Sequence, residues 1–442
     1  MVDILFFACW FLLPFLWLTF LNASKISLFK ISIPSILIIF LFLFQYLGLP
    51  ILYFGLDEYR VYDVKESEIV IRIFLFTSLS ITFFIFGIIT SERLFGQLKT
   101  FNFTKTISSF PSLSFLFLIL IFLICVFFLI QYINIVGFEN LVISSFLGLA
   151  SENNLSINAL RSSMTNSFDG NYHWYHLFIV EILFFITLSF LCYRYEKSTF
   201  LGNLFLIASI SVCSFSLVMS GQKAPILDLI IGIALITILI NRKGKINFNV
   251  AVKYGFFGFL IVIPLYFFFM SSLSINDAIS GVFSRTLTGT IEPIYYYLQY
   301  FPSEREFLLG ATFPNPGGIL PYEPVPITQE LMVWRNPSQP SDVVGSLPTV
   351  FWVEAYINFG IVGILYVSFL IGFIAYLLNI ILLRLDNNFL TLAFYVWIIL
   401  FVKDLSQSFF SDYLINIYFV FTSLIFLLAL FILGGGKFKY KM

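Results

Sequence analysis

Charge is scarce in this chain: 11% of its 442 residues are Asp, Glu, Lys or Arg, against about 25% in soluble domains. Apolar residues make up 60%. That balance excludes an ordinary soluble domain and leaves an all-α polytopic membrane protein, whose architecture the bilayer sets. Cysteine is also rare. Cys9, Cys125, Cys192 and Cys213 all fall in apolar runs without CxxC spacing, so neither a disulfide nor a cysteine metal site is expected. Only two histidines occur, His173 and His176 in HWYH. At i, i+3 they can share a helical face toward a metal with Glu181 or Asp169, or sit in an interfacial aromatic belt. The belt is the simpler reading, and no metal is expected. No GxxxxGK[ST] and no strand-linked GxGxxG is present, which argues against ATP- or NAD-driven chemistry. No cofactor and no nucleic acid are expected, so an enzyme here must receive its energy with the substrate. Met1 is followed by Asp3, without a basic n-region or a small-residue cleavage site, so the first apolar run is expected to stay as a helix. No 20–50-residue repeat and no inverted halves are visible, which weighs against a secondary transporter.

Long apolar runs dominate what remains. Stretches at about 4–21, 31–54, 69–89, 112–134, 174–193, 200–219, 224–240, 250–271, 351–380, 389–404 and 411–433 are long enough to span, which gives eleven transmembrane helices. With the N-terminus outside, fifteen of the twenty-four basic residues fall in cytoplasmic segments, with only Glu92, Glu196 and Asp386 as acids beside them. The positive-inside rule therefore predicts N-out and C-in. The chain divides into residues 1–272 (helices 1–8, with a smaller outer loop at 135–173), a large outer loop at 273–350, and residues 351–442 (helices 9–11 and a basic cytoplasmic tail). Nine of the sixteen prolines lie between Pro302 and Pro348, which excludes one continuous helix there. The aromatic residues of that loop, Tyr295, Tyr296, Tyr297, Phe313, Tyr322 and Trp334, predict order. Its ends are the expected place of chemistry, and 310–348 the lid or acceptor-shaping part.

Candidate residues follow from charge on the outer side. Lys223, in SGQKAP before a helix, can bind an anion together with nearby amides, or snorkel to the interface. Asp228, deeper in that helix, needs a partner. Arg285, in SRTLTGTIEP, offers a planar fork to phosphate. Glu292 stands seven residues on, where an Arg–Glu pair is the plainer reading. Arg161 and Arg335 are further arginines of the long outer loops and read equally as solvated surface. Glu354, in FWVEAYINFG, is an acid in an apolar run and a candidate general base. At a helix start it can equally serve the dipole. Tyr356 and Asn358 make the same turn polar, as candidate substrate contacts. Lys403 and Asp404 at a span end read as an interfacial ion pair.

The SGQKAP turn, the SRTLTGTIEP segment and above all GSLPTVFWVEAYINFGIVG (Gly345–Gly363) resemble the bacterial oligosaccharide repeat-unit polymerases, the O-antigen polymerase or Wzy type. Nine residues separate Arg335 from Gly345, where some members have Arg-x10-Gly. The resemblance implies a GT-C-like membrane glycosyltransferase in the bacterial inner membrane, active face outward, in lipopolysaccharide O-antigen, capsule or exopolysaccharide biosynthesis. Its substrate would be an undecaprenyl-pyrophosphate-linked oligosaccharide. A flippase and a chain-length regulator would be its partners, and the lipid bilayer its setting. Arg285, Lys223 and Arg161 would meet the pyrophosphate, Glu354 would take the acceptor proton, and aromatic rings would stack on sugars. An O-antigen ligase uses the same donor and stays open as an alternative. A polysaccharide flippase or transporter also stays open, although it predicts charges around a midplane cavity.

Overall fold

The computed structural model describes residues 2–24, 26–96, 113–138, 168, 171–219, 224–269, 275–337 and 345–433. Over its described residues, every apolar stretch above forms a helix. The long helices are α1 (Val2–Ala23), α2 (Ile33–Tyr53), α3 (Ser67–Phe95), α4 (Leu113–Val136), α5 (Tyr172–Glu196), α6 (Phe200–Met219), α7 (Ala224–Arg242) and α8 (Phe248–Phe269). Three short helices, α9 (Ile275–Leu287), α10 (Glu292–Tyr300) and α11 (Ile327–Arg335), form the 273–350 region. Then come α12 (Phe351–Arg384), α13 (Phe389–Lys403) and α14 (Ile417–Leu433). Ten segments among the described residues are long and apolar enough to cross a membrane, and α8 adds a 22-residue apolar helix. No β-strand occurs among the described residues. This is a multi-pass membrane protein.

By compactness the chain forms two units that cut across the three stretches read from sequence. The first comprises Met1–Lys99, Ser280–Ile381 and Phe401–Asn416; the second comprises Thr100–Ile279, Leu382–Leu400 and Ile417–Met442. In the second unit, Phe115 of α4 stacks on Tyr193 of α5 at 4.1 Å, and Phe394 of α13 on Phe426 of α14 at 4.0 Å. A π-helical turn at Leu177–Ile182 leaves the Ile179 carbonyl to accept from Ser216 Oγ at 2.6 Å.

The first unit holds the candidate site, and its geometry begins with α2. Ser32 caps this helix in a capping box with Ser35, and Pro34 stands in its first turn, where a missing N–H costs nothing. A π-helical turn at Phe42–Tyr46 frees the Phe44 carbonyl, which accepts from Thr290 Oγ1 at 2.6 Å. Just beyond, a Cβ on Gly48 would fall 1.8 Å from the Leu287 carbonyl oxygen, so the corner between α9 and α10 docks backbone to backbone on α2.

Helices α3 and α12 meet as closely. A Cβ at Gly87 would fall 2.0 Å from the Phe369 oxygen, and one at Gly372 2.0 Å from the Phe84 oxygen. Ser80 and Ser368 share a 2.8 Å hydrogen bond in this first unit. Such a bond contributes about 0.6 kcal/mol in a membrane, so the missing side chains, which allow the close van der Waals approach, dominate this crossing.

The 273–350 region is ordered wherever it is described. Tyr295, Tyr297, Leu298, Phe301 and Leu331 are buried, as its aromatic content predicts. Tyr297 donates to the Leu347 carbonyl at 3.0 Å, and Leu347 N to the Thr328 carbonyl at 3.0 Å.

Candidate functional site

The site starts from a turn that looks minor in sequence, residues 57–66. Asp57 is buried and fully engaged. Its Oδ2 accepts from Ser284 at 2.8 Å and from Thr288, and its Oδ1 accepts from Tyr59 N at 3.0 Å. The last bond is an Asp side chain closing its own turn, a local habit of this residue. The Asp57 carbonyl then accepts from Arg60 N and Val61 N, and the Arg60 carbonyl from Asp63 N and Val64 N. The turn is thus locked to α9 and presents Arg60 to α10 and Asp63 to α11.

Four charges meet there. Arg60 Nη1 pairs with Glu292 Oε2. Arg335 Nη2, from α11, lies 2.5 Å from Glu292 Oε1 and 3.0 Å from Asp63 Oδ2. The Arg335 guanidinium also stacks 4.4 Å from the Tyr296 ring centroid. The Glu292 side chain is 3% exposed, so it is a buried carboxylate held between two guanidiniums. Burial, then the neighbouring Arg285 charge, pulls the Arg60 pKa down from its ordinary value. Burial pushes the Tyr296 hydroxyl up, with Arg335 opposing. Arg285 itself is exposed and has no hydrogen-bond or ion-pair partner among the described residues.

Beside this network lies an open recess of about 290 Å³ lined by Tyr62, Asp63, Lys65, Glu66, Tyr295, Tyr296, Gln299, Arg335 and Asn336. Gln299 Nε2 donates to Glu66 Oε1 at 2.9 Å and to the Tyr295 hydroxyl at 3.2 Å. Tyr62 is 81% exposed. The volume lies at the small end of ligand pockets, and carboxylates, cations, amides and phenol rings share the wall.

Glu354 forms a second polar centre in the same unit. Helix α12 breaks at Gly360, whose φ of 63° and ψ of −152° suit only glycine. The break frees two carbonyls. Ile357 O accepts from Leu308 N at 2.9 Å, and Asn358 O from Leu309 N at 3.1 Å. Asn358, fully buried, accepts from Gly310 N at 2.8 Å and donates to Thr312 Oγ1 and to the Glu354 carbonyl, both at 2.8 Å. Glu354 is 0% exposed; its Oε1 accepts from Thr312 Oγ1 at 2.7 Å and its Oε2 from Ser411 N at 3.0 Å. This carboxylate therefore ties three backbone pieces together: the broken helix, the 308–312 strap and the turn after α13.

The candidates read from sequence thus separate. Arg285, Glu292 and Arg335 converge on the Arg60 network, although Glu292 pairs with Arg60 and Arg335 rather than with Arg285. Glu354 and Asn358 belong to the strap. Tyr356 is buried, accepting from Arg72 Nη2 at 3.2 Å and donating to the Phe301 carbonyl at 3.4 Å. Arg161 and Lys223 lie outside the described residues. Arg335, from the middle of the long loop, sits in the network, so this cluster draws on more than the loop's two ends. His173 Nδ1 is 2.9 Å from the Tyr418 hydroxyl, and His176 Nε2 is 3.8 Å from Glu181. No group of three or more His, Cys, Asp or Glu able to hold a metal occurs among the described residues.

Arg60, Asp63, Lys65 and Glu66 are the participants that sequence alone leaves out. Their one signal is density: half of the fourteen residues in GLDEYRVYDVKESE (Gly55–Glu68) are charged, in a chain where charge is rare. No protein-family model matches the chain, no curated protein matches its sequence, and no solved structure matches its fold.

Proposed function

We propose that the protein is a polymerase of undecaprenyl-pyrophosphate-linked oligosaccharide repeat units, a GT-C-like membrane glycosyltransferase acting at the outer face of the bacterial inner membrane. One observation carries the reading. The recess, walled by Tyr62, Tyr295, Tyr296, Gln299 and Asn336 together with acids and cations, shares Arg335 with the Arg60–Glu292 network, and Arg285, exposed and without a hydrogen-bond or ion-pair partner among the described residues, is a charge neighbour of Arg60. Phenol rings and amides suit sugar faces and hydroxyls, and an arginine with a free fork suits a phosphate. Both lie on segments that the distribution of basic residues assigns to the outer side. Arg285, with Arg60 behind it, meets the leaving pyrophosphate, where preorganised positive charge stabilises the transition state. The pyrophosphate linkage supplies the energy, in keeping with a sequence that lacks nucleotide-binding motifs.

The test is a gel of surface polysaccharide from the native host. Deleting the gene should leave single repeat units on the lipid core, and Arg285→Ala should do the same while the protein still inserts in the membrane. An unchanged ladder after deletion would refute the reading. Complete loss of capped core would point to a ligase instead.

A further inference from the structure

We infer that the recess is the acceptor-sugar subsite and that Asp63 takes the proton from the attacking hydroxyl. The inference rests on the polymerase reading and deepens it. The site offers several acids, and their geometry separates them. Glu354 is fully buried, with both oxygens accepting hydrogen bonds. Glu292 is buried between Arg60 and Arg335. Asp57 is closed in by Ser284, Thr288 and Tyr59. Glu66 reaches the recess, yet its carboxylate partner is the neutral Gln299 amide, and no cation pairs with it among the described residues. Asp63 alone combines what a base needs. It lines the recess, and its side chain is 44% exposed. Arg335 fixes its Oδ2 at 3.0 Å, and its Oδ1 has no partner among the described residues. A base oriented by a third group and open toward its substrate is the arrangement that activated hydroxyls require.

The acceptor hydroxyl oxygen attacks the anomeric carbon of the donor sugar and forms the new C–O bond. The bond from that carbon to the pyrophosphate oxygen breaks, and its electron pair leaves with the pyrophosphate toward Arg285 and Arg60. The hydroxyl proton passes to Oδ1 of Asp63 and then to water. Tyr62, the most exposed ring of the recess, offers its face to the acceptor sugar, and Gln299 and Asn336 offer amides to its hydroxyls.

The experiment uses the full chain in nanodiscs with lipid-linked repeat unit from a strain lacking the gene. Asp63→Asn keeps an oxygen for Arg335 and removes the base. It should lower kcat by about 10²–10⁴-fold, the usual contribution of a general base, with KM changed little and the acid limb of the pH–rate profile lost. An Asp63→Asn enzyme with near-wild-type kcat and an unchanged pH profile overturns the inference. If Asp63→Asn does not fold, Asp63→Gly assayed with added formate decides. Rate restored by formate supports the assignment, and a rate indifferent to formate overturns it. Wild-type protein that fails to join repeat units sinks the polymerase reading itself. A working wild type beside a working Asp63→Asn sinks only Asp63.

Discussion

Among single residues, the sharpest contrast is between Arg285 and Glu292. They stand seven apart and from sequence look like one ion pair. In the fold, Glu292 is buried between Arg60 and Arg335, while Arg285 is exposed. Removing one member of a buried charge pair costs about 3–5 kcal/mol, because the other charge stays behind without a partner. Glu292→Gln should therefore lower the melting temperature in detergent by several degrees, and Arg285→Ala should leave it nearly unchanged while abolishing polymer. Equal melting shifts in the two variants would contradict this division. Arg285 and Arg335 were legible because outer cations are few. The true partners of Glu292 and Arg335 were not, because Arg60 and Asp63 lie more than two hundred residues away along the chain, and no local pattern records such a contact.

The elements tell a similar story. Eleven apolar runs were long enough to read directly, and each is a helix. The break in α12 was not, since Gly360 sits within a run that hydropathy treats as continuous; only its φ of 63° reveals the need for glycine. Gly360→Ala should cost about 1–3 kcal/mol, the usual price of a side chain in that backbone region. Glu354→Gln acts on the same piece by another route. It sets an amide opposite Thr312 and Ser411 N, two donors that now share a carboxylate. If the amide oxygen serves one, an N–H faces the other, at about 1–3 kcal/mol for the group left unsatisfied. Both variants should unfold earlier on heating than wild type; wild-type melting of Glu354→Gln would show that the carboxylate does not hold the strap. Gly87→Leu should separate α3 from α12, since a Cβ alone would meet backbone at 2.0 Å. Intact folding of that variant would contradict the crossing.

For the whole molecule, hydropathy established a multi-pass membrane protein, and charge bias proposed its orientation. Cysteine labelling tests that orientation in a cysteine-free background. Glu58→Cys should react with an impermeant maleimide on intact spheroplasts, and Arg93→Cys only after permeabilisation; the reverse pattern would turn the topology over. Both positions are exposed, and α3 runs between them. The proposed function lies one level further, because it depends on how residues 57–66, α10 and α11 surround one recess. Purified protein in nanodiscs, given only the undecaprenyl-pyrophosphate-linked repeat unit, tests it most directly. The expected product is a ladder of elongated lipid-linked glycan, formed without ATP or a nucleotide sugar. Repeat units recovered unchanged from active-folded protein, or elongated only when a nucleotide sugar is added, would contradict it.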